Sequence, residues 1–286
     1  MEKVLVGLDE EAASQTAVDW VIDRARRTPM HVTLYTAFDM IVSDVVADGE
    51  LLRSTAARIT DAAPGTVVET VSEERSILEG LVERSGDADL IVIGSHPHRP
   101  VRSALTGSLP TGVVTRAHCP TIVVPDDWAP GGTRVVLGVA DDDSSDAAIP
   151  FAAREALAAG VPLDAVHAWR LPVPSMDAVA SLVIDAEGLE AIHTELVERV
   201  TERLDKEFAG LDVRGILNHG DSGATLDDQI EGAQLVVLGT HRHGPAVGAL
   251  MGSTVQHLLH HGRIAMAIVP MVSPEEHARA HRGAAG

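Results

Sequence analysis

The stretch EGAQLVVLGTHRHGPAVGALMGS, residues 231–253, decides how this chain is read. It holds an aliphatic run closed by a glycine, a loop of histidines and glycines, and a Gly-Ser pair where a helix could begin. A strand followed by such a loop lets backbone N–H groups approach an anion, and the next helix N-terminus adds positive potential. The pattern is present twice. In DADLIVIGSHPHRPVRSALTGS, residues 87–108, Gly94 matches Gly239 and Gly107 matches Gly252.

The duplication extends outward. KVLVGLDEEAASQTAVDW, residues 3–20, returns as RVVLGVADDDSSDAAIPF, residues 134–151, and TIVVP at 121–125 returns as AIVP at 267–270. The offset is 131 at the first match and 145 at the later ones, so the second copy carries 14 extra residues. They are placed in the helical region 176–204. The Pro- and Gly-bearing stretch DDWAPGGT, 126–133, is the natural linker, which sets expected domains at 1–127 and 133–273.

Each copy alternates short aliphatic runs with helical periodicity. KVLVGL, HVTLYTA, GTVVETV, DLIVIG and TIVVP read as five strands, and SQTAVDWVIDRAR places 17, 18, 21, 22 and 25 on one helix face. The expected fold class is α/β: two tandem, doubly wound, five-stranded parallel-sheet domains of the Rossmann-like type. Ligands in such sheets bind outside the carboxyl ends of the strands, where the strand order reverses. Asp9 ends the first strand there and Gly94 the fourth. Ile192, Leu196, Val200 and Leu204, four apart, read as the packing face of a long helix.

Composition agrees and excludes alternatives. Apolar residues make up 45% but aromatics only 2%, so the core must be aliphatic. The net charge of −20 repels nucleic acid and anionic lipid surfaces. A single cysteine, Cys119, allows no intramolecular disulfide and reads as a buried, inert thiol. No apolar run reaches transmembrane length and MEKVLVGLDE is not a signal peptide, so a cytoplasmic location is expected.

These residues resemble the universal stress protein family in its tandem form, with a pseudo-dimer of adenine-nucleotide-binding α/β domains. The carriers are the aspartate of VLVGLDEEAASQTAVDW, the loop pattern G-x2-G-x9-G-[ST], HCPTIVVP, and HAW at 167–169. The resemblance implies ATP or another adenine nucleotide as ligand, with Mg2+ as its companion, and a stress-response regulatory role without efficient catalysis. Slow ATP hydrolysis is the most it implies. Copy one keeps Asp9, Gly94, Gly107 and Ser108 but has Pro97, which removes an N–H and the glycine-only conformations. Copy two keeps Gly239, Gly252 and Ser253, with Arg242 at the second loop position and Ala140 in the place of Asp9. Arg242 could meet a phosphate directly. Asp141 stands one residue late on the strand end and is expected to point elsewhere. Copy one is therefore expected to be the better site, with at most one tight ATP per chain.

Other readings stay open at this stage. Asp9 also suits a turn and the serines an N-cap. The pairs His96/His98 and His241/His243 suit phosphate proximity or exposure better than a metal. His257, His260 and His261 share a helix face and read as surface or interface. The alternative function is an interaction scaffold of the family's non-binding branch; an enzyme of a related fold is the third, and no nucleophile–base pair supports it. Finally, the resemblance implies that 121–124 and 267–269 pair, docking the halves within one chain, and it allows a further homodimer.

Overall fold

A computed structural model describes residues 1–38, 45–96, 109–171, 186–240 and 252–271. The first half runs β1 (Glu2–Gly7), α1 (Ala12–Ala25), β2 (Met30–Phe38), α2 (Val45–Ala62), β3 (Val67–Glu74), α3 (Ile77–Arg84), β4 (Leu90–Ser95), α4 (Leu109–Val114) and β5 (Thr121–Pro125). The second half repeats the plan. It runs β6 (Val135–Gly138), α5 (Ala148–Ala159), β7 (Leu163–Trp169), α6 (Ala186–Glu207), β8 (Val213–His219), α7 (Ser222–Gln229), β9 (Leu235–Thr240), α8 (Ser253–His261) and β10 (Met266–Pro270). A 3₁₀ turn, Asp143–Ser145, precedes α5.

All ten strands form one sheet in the order β3-β2-β1-β4-β5-β10-β9-β6-β7-β8. The order is the same read inward from either end. Every pairing is parallel except β5 with β10, which is antiparallel, with Val123 opposite Met266, Ile122 opposite Ala267 and Thr121 opposite Ile268. The final strands of the two halves thus close on each other, as the duplicated TIVVP and AIVP runs imply.

The central strands are aliphatic throughout because helices cover both faces; β4, β5, β9 and β10 bury Ile91, Val92, Ile122, Val123, Val237, Leu238, Ala267 and Ile268. The outermost strands β3 and β8 are half exposed and carry Glu69, Glu73, Arg214 and His219, charges and polar groups that discourage edge pairing. One buried ion cluster crosses the halves: Arg24 of α1 bonds Glu155 of α5 through Nη2 (2.7 Å) and Nε (3.1 Å), and also pairs with Glu2 of β1.

The 14 extra residues are accounted for by α6 and what precedes it. α6 has 22 residues against 18 in α2, and sixteen residues separate β7 from α6 where six separate β2 from α2. The stretch 172–185 lies outside the described residues. One expectation about α6 is corrected. Ile192 is 61% exposed, and the buried face is Val197, Val200 and Leu204 with Leu196 half-buried. A strict four-residue spacing rotates steadily around a helix of 3.6 residues per turn, so the first member of the series leaves the core face.

Candidate nucleotide-binding clefts

Both halves share a frame in which a glycine stands next to last in the fourth strand. A Cβ on Gly94 would sit 2.3 Å from the backbone of Ala13, and one on Gly239 would sit 1.8 Å from the carbonyl oxygen of Ser144. The first turn after β1 or β6 therefore lies directly against the strand end, and only glycine permits it. A second shared device holds that turn. The Asp9 N–H donates to Ser14 Oγ (2.9 Å), and the Ala140 N–H donates to Ser145 Oγ (2.8 Å). The two hydrogen bonds confirm that Ala140 occupies the position of Asp9.

In the first half, Asp9 Oδ1 accepts the Glu11 N–H at 2.9 Å, so the aspartate organises the entry to α1. The residue is exposed, yet its carboxyl is packed into the loop; this desolvation, helped by the charge of Glu11, raises its pKa against the opposing pull of the Glu11 N–H and His96. His96, just beyond β4, is held by Asp126 (Nδ1 to Oδ2, 2.7 Å) with Glu11 3.6 Å from Nε2. Pro97, His98, Gly107 and Ser108 lie outside the described residues.

In the second half, a cleft of about 510 Å3 opens at the carboxyl ends of β6, β7 and β9. One side is the β6 turn, including Asp141 and Asp142; another is α8, with Gly252 and Thr254; a third is His167 and Trp169 of β7 with His193 of α6. Asp142 Oδ1 accepts the Ser144 N–H at 2.9 Å and caps the turn, the task Asp9 performs in the first half. Asp141 is among the residues that line the cleft, so its expected aim elsewhere is corrected.

Gly252 is the N-cap of α8, and Ser253 is the first helical residue and exposed. The capping serine read from the sequence is thus a capping glycine, displaced by one position. A Cβ on Gly252 would meet nothing within 4 Å, and its φ of −53° suits any residue. The fold does not need glycine here; what glycine leaves is bare backbone at a helix N-terminus facing a cavity. Thr254 Oγ1 lies 2.7 Å from Ser222 Oγ of α7 beside it. Arg242, His241 and His243 lie outside the described residues.

The sequence alone does not single out His167, Trp169 and His193 as a site. His167 is buried at the end of β7, with Nδ1 2.8 Å from the Val139 carbonyl oxygen and Nε2 2.8 Å from His193 Nδ1. The Trp169 indole lies 5.0 Å from the His193 ring, centroid to centroid, within 23° of parallel. The available signal was HAW at the end of a strand, where alternation points 167 and 169 to one face. His193 is brought in by α6 and had no local signal.

Elsewhere, Cys119 is buried and its thiol pushed up to about 12, mainly by desolvation. His257 on α8 pairs with Asp227 of α7. Among the described residues, no group of three or more His, Cys, Asp or Glu side chains is arranged to hold a metal, and no helix is long and apolar enough to cross a membrane.

The model of the universal stress protein family matches residues 1–125 and 132–270. A universal stress protein of Mycobacterium tuberculosis is 25% identical over 272 residues, covering 87% of this chain and 90% of its own. Another from the same organism is 31% identical over 193 residues; the match covers 64% of this chain and only 62% of that relative's length. The crystal structure of a universal stress protein from Archaeoglobus fulgidus superimposes with a TM-score of 0.67 at 16% identity, covering 94% of this chain and 98% of that one. That likeness is one of fold.

Proposed function

The chain belongs to the universal stress protein family, and from that premise we propose that it binds an adenine nucleotide at the carboxyl ends of its strands as a stress-response regulatory protein. The observation that carries this reading is the second-half cleft. Its volume of about 510 Å3 falls within the range of small-ligand pockets, and the unhindered Gly252 stands at its α8 end. Phosphates belong at that end, where backbone N–H groups and the helix dipole offset the negative field of the chain. Mg2+ would accompany them. The acids Asp141 and Asp142 suit ribose hydroxyls, which can donate to them, far better than phosphates.

The first half carries Asp9, with its raised pKa, on the same frame, and remains the cleft that the sequence favours. Regulation rather than turnover is the proposed role, with hydrolysis slow at most.

Calorimetry of ATP with the full chain tests the reading. One tight site is expected. Its loss in Gly252→Asn assigns it to the second half, and its loss in Asp9→Ala assigns it to the first. No binding by the unaltered chain would overturn nucleotide binding and leave the interaction scaffold.

A further inference from the structure

Resting on the reading that the second-half cleft holds a nucleotide, we propose that His193 Nε2 accepts a hydrogen bond from the base and selects a 6-amino purine over a 6-oxo purine. With phosphates at Gly252, beyond β9, the base falls against His167, Trp169 and His193 of β7 and α6, on the other side of β6 in the same cleft. Trp169 supplies a flat apolar surface there. What decides between bases is which atoms around it donate and which accept.

The hydrogen-bond chain fixes that point. The Val139 carbonyl oxygen can only accept, so His167 Nδ1, 2.8 Å away, must carry the hydrogen. A neutral imidazole has one N–H, which leaves His167 Nε2 as an acceptor. His193 Nδ1, 2.8 Å from it, must then donate. The two rings lie within 28° of one plane with centroids 5.0 Å apart, the separation of imidazoles joined end to end. His193 is left with a bare Nε2 lone pair, which has no partner among the described residues. A cationic His167 would reverse the chain, but it would place a charge on a residue only 3% exposed.

The charged and titratable groups acting on His193 are His167 from β7 and Asp141 from the β6 turn, and Glu190 stands one turn earlier on α6. Desolvation and His167 lower its pKa while Asp141 raises it, and the net direction is down. At neutral pH the ring is therefore the acceptor that the chain requires. His167 acts as a positioning residue, setting the tautomer of the ring that touches the ligand. The device belongs to the second half alone, since Thr36 and Phe38 stand where the second copy has His167 and Trp169.

ATP and inosine triphosphate, which carries an oxygen in place of the 6-amino group, provide the test. Affinities come from calorimetry on the full chain, and the part of the tryptophan fluorescence change missing in Trp169→Phe assigns binding to this cleft. At about pH 7.5 ATP should bind roughly tenfold tighter, the value of one well-placed hydrogen bond. In His193→Phe, which keeps a ring against Trp169 but has no acceptor, the ratio should fall to near one. As pH falls through the folded pKa of His193, which lies below its ordinary value, the unaltered protein should also lose its preference, because a protonated His193 donates where it accepted. His193→Phe should show no such pH response. The pH comparison needs no variant, so it decides the matter even if His193→Phe folds poorly. Equal affinities for the two nucleotides at neutral pH, or a preference that survives in His193→Phe, overturns the inference and leaves nucleotide binding intact. Absence of any nucleotide binding overturns both.

Discussion

Three glycines of the duplicated loops look alike in sequence and differ in physical cause. Gly94 and Gly239 are required by the fold, because a methyl group at either would overlap backbone atoms that cannot move without displacing a helix. Gly239→Ala should therefore cost stability, by about 1–3 kcal/mol or more for an overpacked site, read as a lower urea midpoint. Gly252 has open space around it. Because Asn is a favoured N-cap, Gly252→Asn should leave stability within about 0.5 kcal/mol while weakening ATP binding as its side chain enters the cleft. Loss of stability equal to that of Gly239→Ala would refute this distinction. Asp9 offers a test of another kind. Its folded pKa lies above that of the unfolded chain, so the ionised carboxylate opposes folding above the folded pKa, and the penalty vanishes below the unfolded one. Asp9→Asn should be more stable than the parent at neutral pH, with the difference fading as pH falls through the carboxylate range. A difference independent of pH would mean that charge is not its source.

At the scale of elements, strands were legible and the cleft was not. β1, β4 and β5 and their copies are aliphatic runs bounded by turns, and duplication supplies a second reading of each. The cleft joins the β6 turn, the end of β7, α6 and the start of α8, which are far apart in sequence. His193 shows why such a site stays hidden: it follows Ile192, which was assigned to the packing face, and neither reading can be made without knowing how α6 is rotated. The rotation sets Ile192 outward and Val197, Val200 and Leu204 inward. Leu204→Ala, at a fully buried site, should cost about 2–5 kcal/mol. Ile192→Gln should change stability by less than about 0.5 kcal/mol, since that side chain is mostly in water. Denaturant unfolding of both variants checks the rotation, and a large loss in Ile192→Gln would reverse it.

At the scale of the molecule, a buried ion cluster and the β5–β10 seam both join the halves, and they should respond differently to mutation. The Glu2–Arg24–Glu155 cluster is buried and charged. Burial alone would push Arg24 down, but the two carboxylates hold it above its ordinary value, so it stays ionised throughout the working pH range. Arg24→Ala should cost about 3–5 kcal/mol because Glu155 would be left buried without its partner, whereas replacing both with apolar residues should cost much less. The β5–β10 seam has no such escape. Val123 and Ile268 lie in one apolar cluster beneath the helices that cover the seam, 2% and 1% exposed. Lysine at both, Val123→Lys with Ile268→Lys, puts two like charges into the same dry layer, where neither finds an acid or water. The halves should then part along the seam. Each would expose an aliphatic strand edge, seen as faster amide exchange in β5 and β10, binding of a hydrophobic dye and a larger hydrodynamic radius. Val67→Lys provides the control: Val67 is 49% exposed on β3, the outer edge of the same sheet, and a lysine there should leave all three measurements unchanged. Retained protection of β5 and β10 in the double variant would mean that the halves are held by contacts other than their final strands.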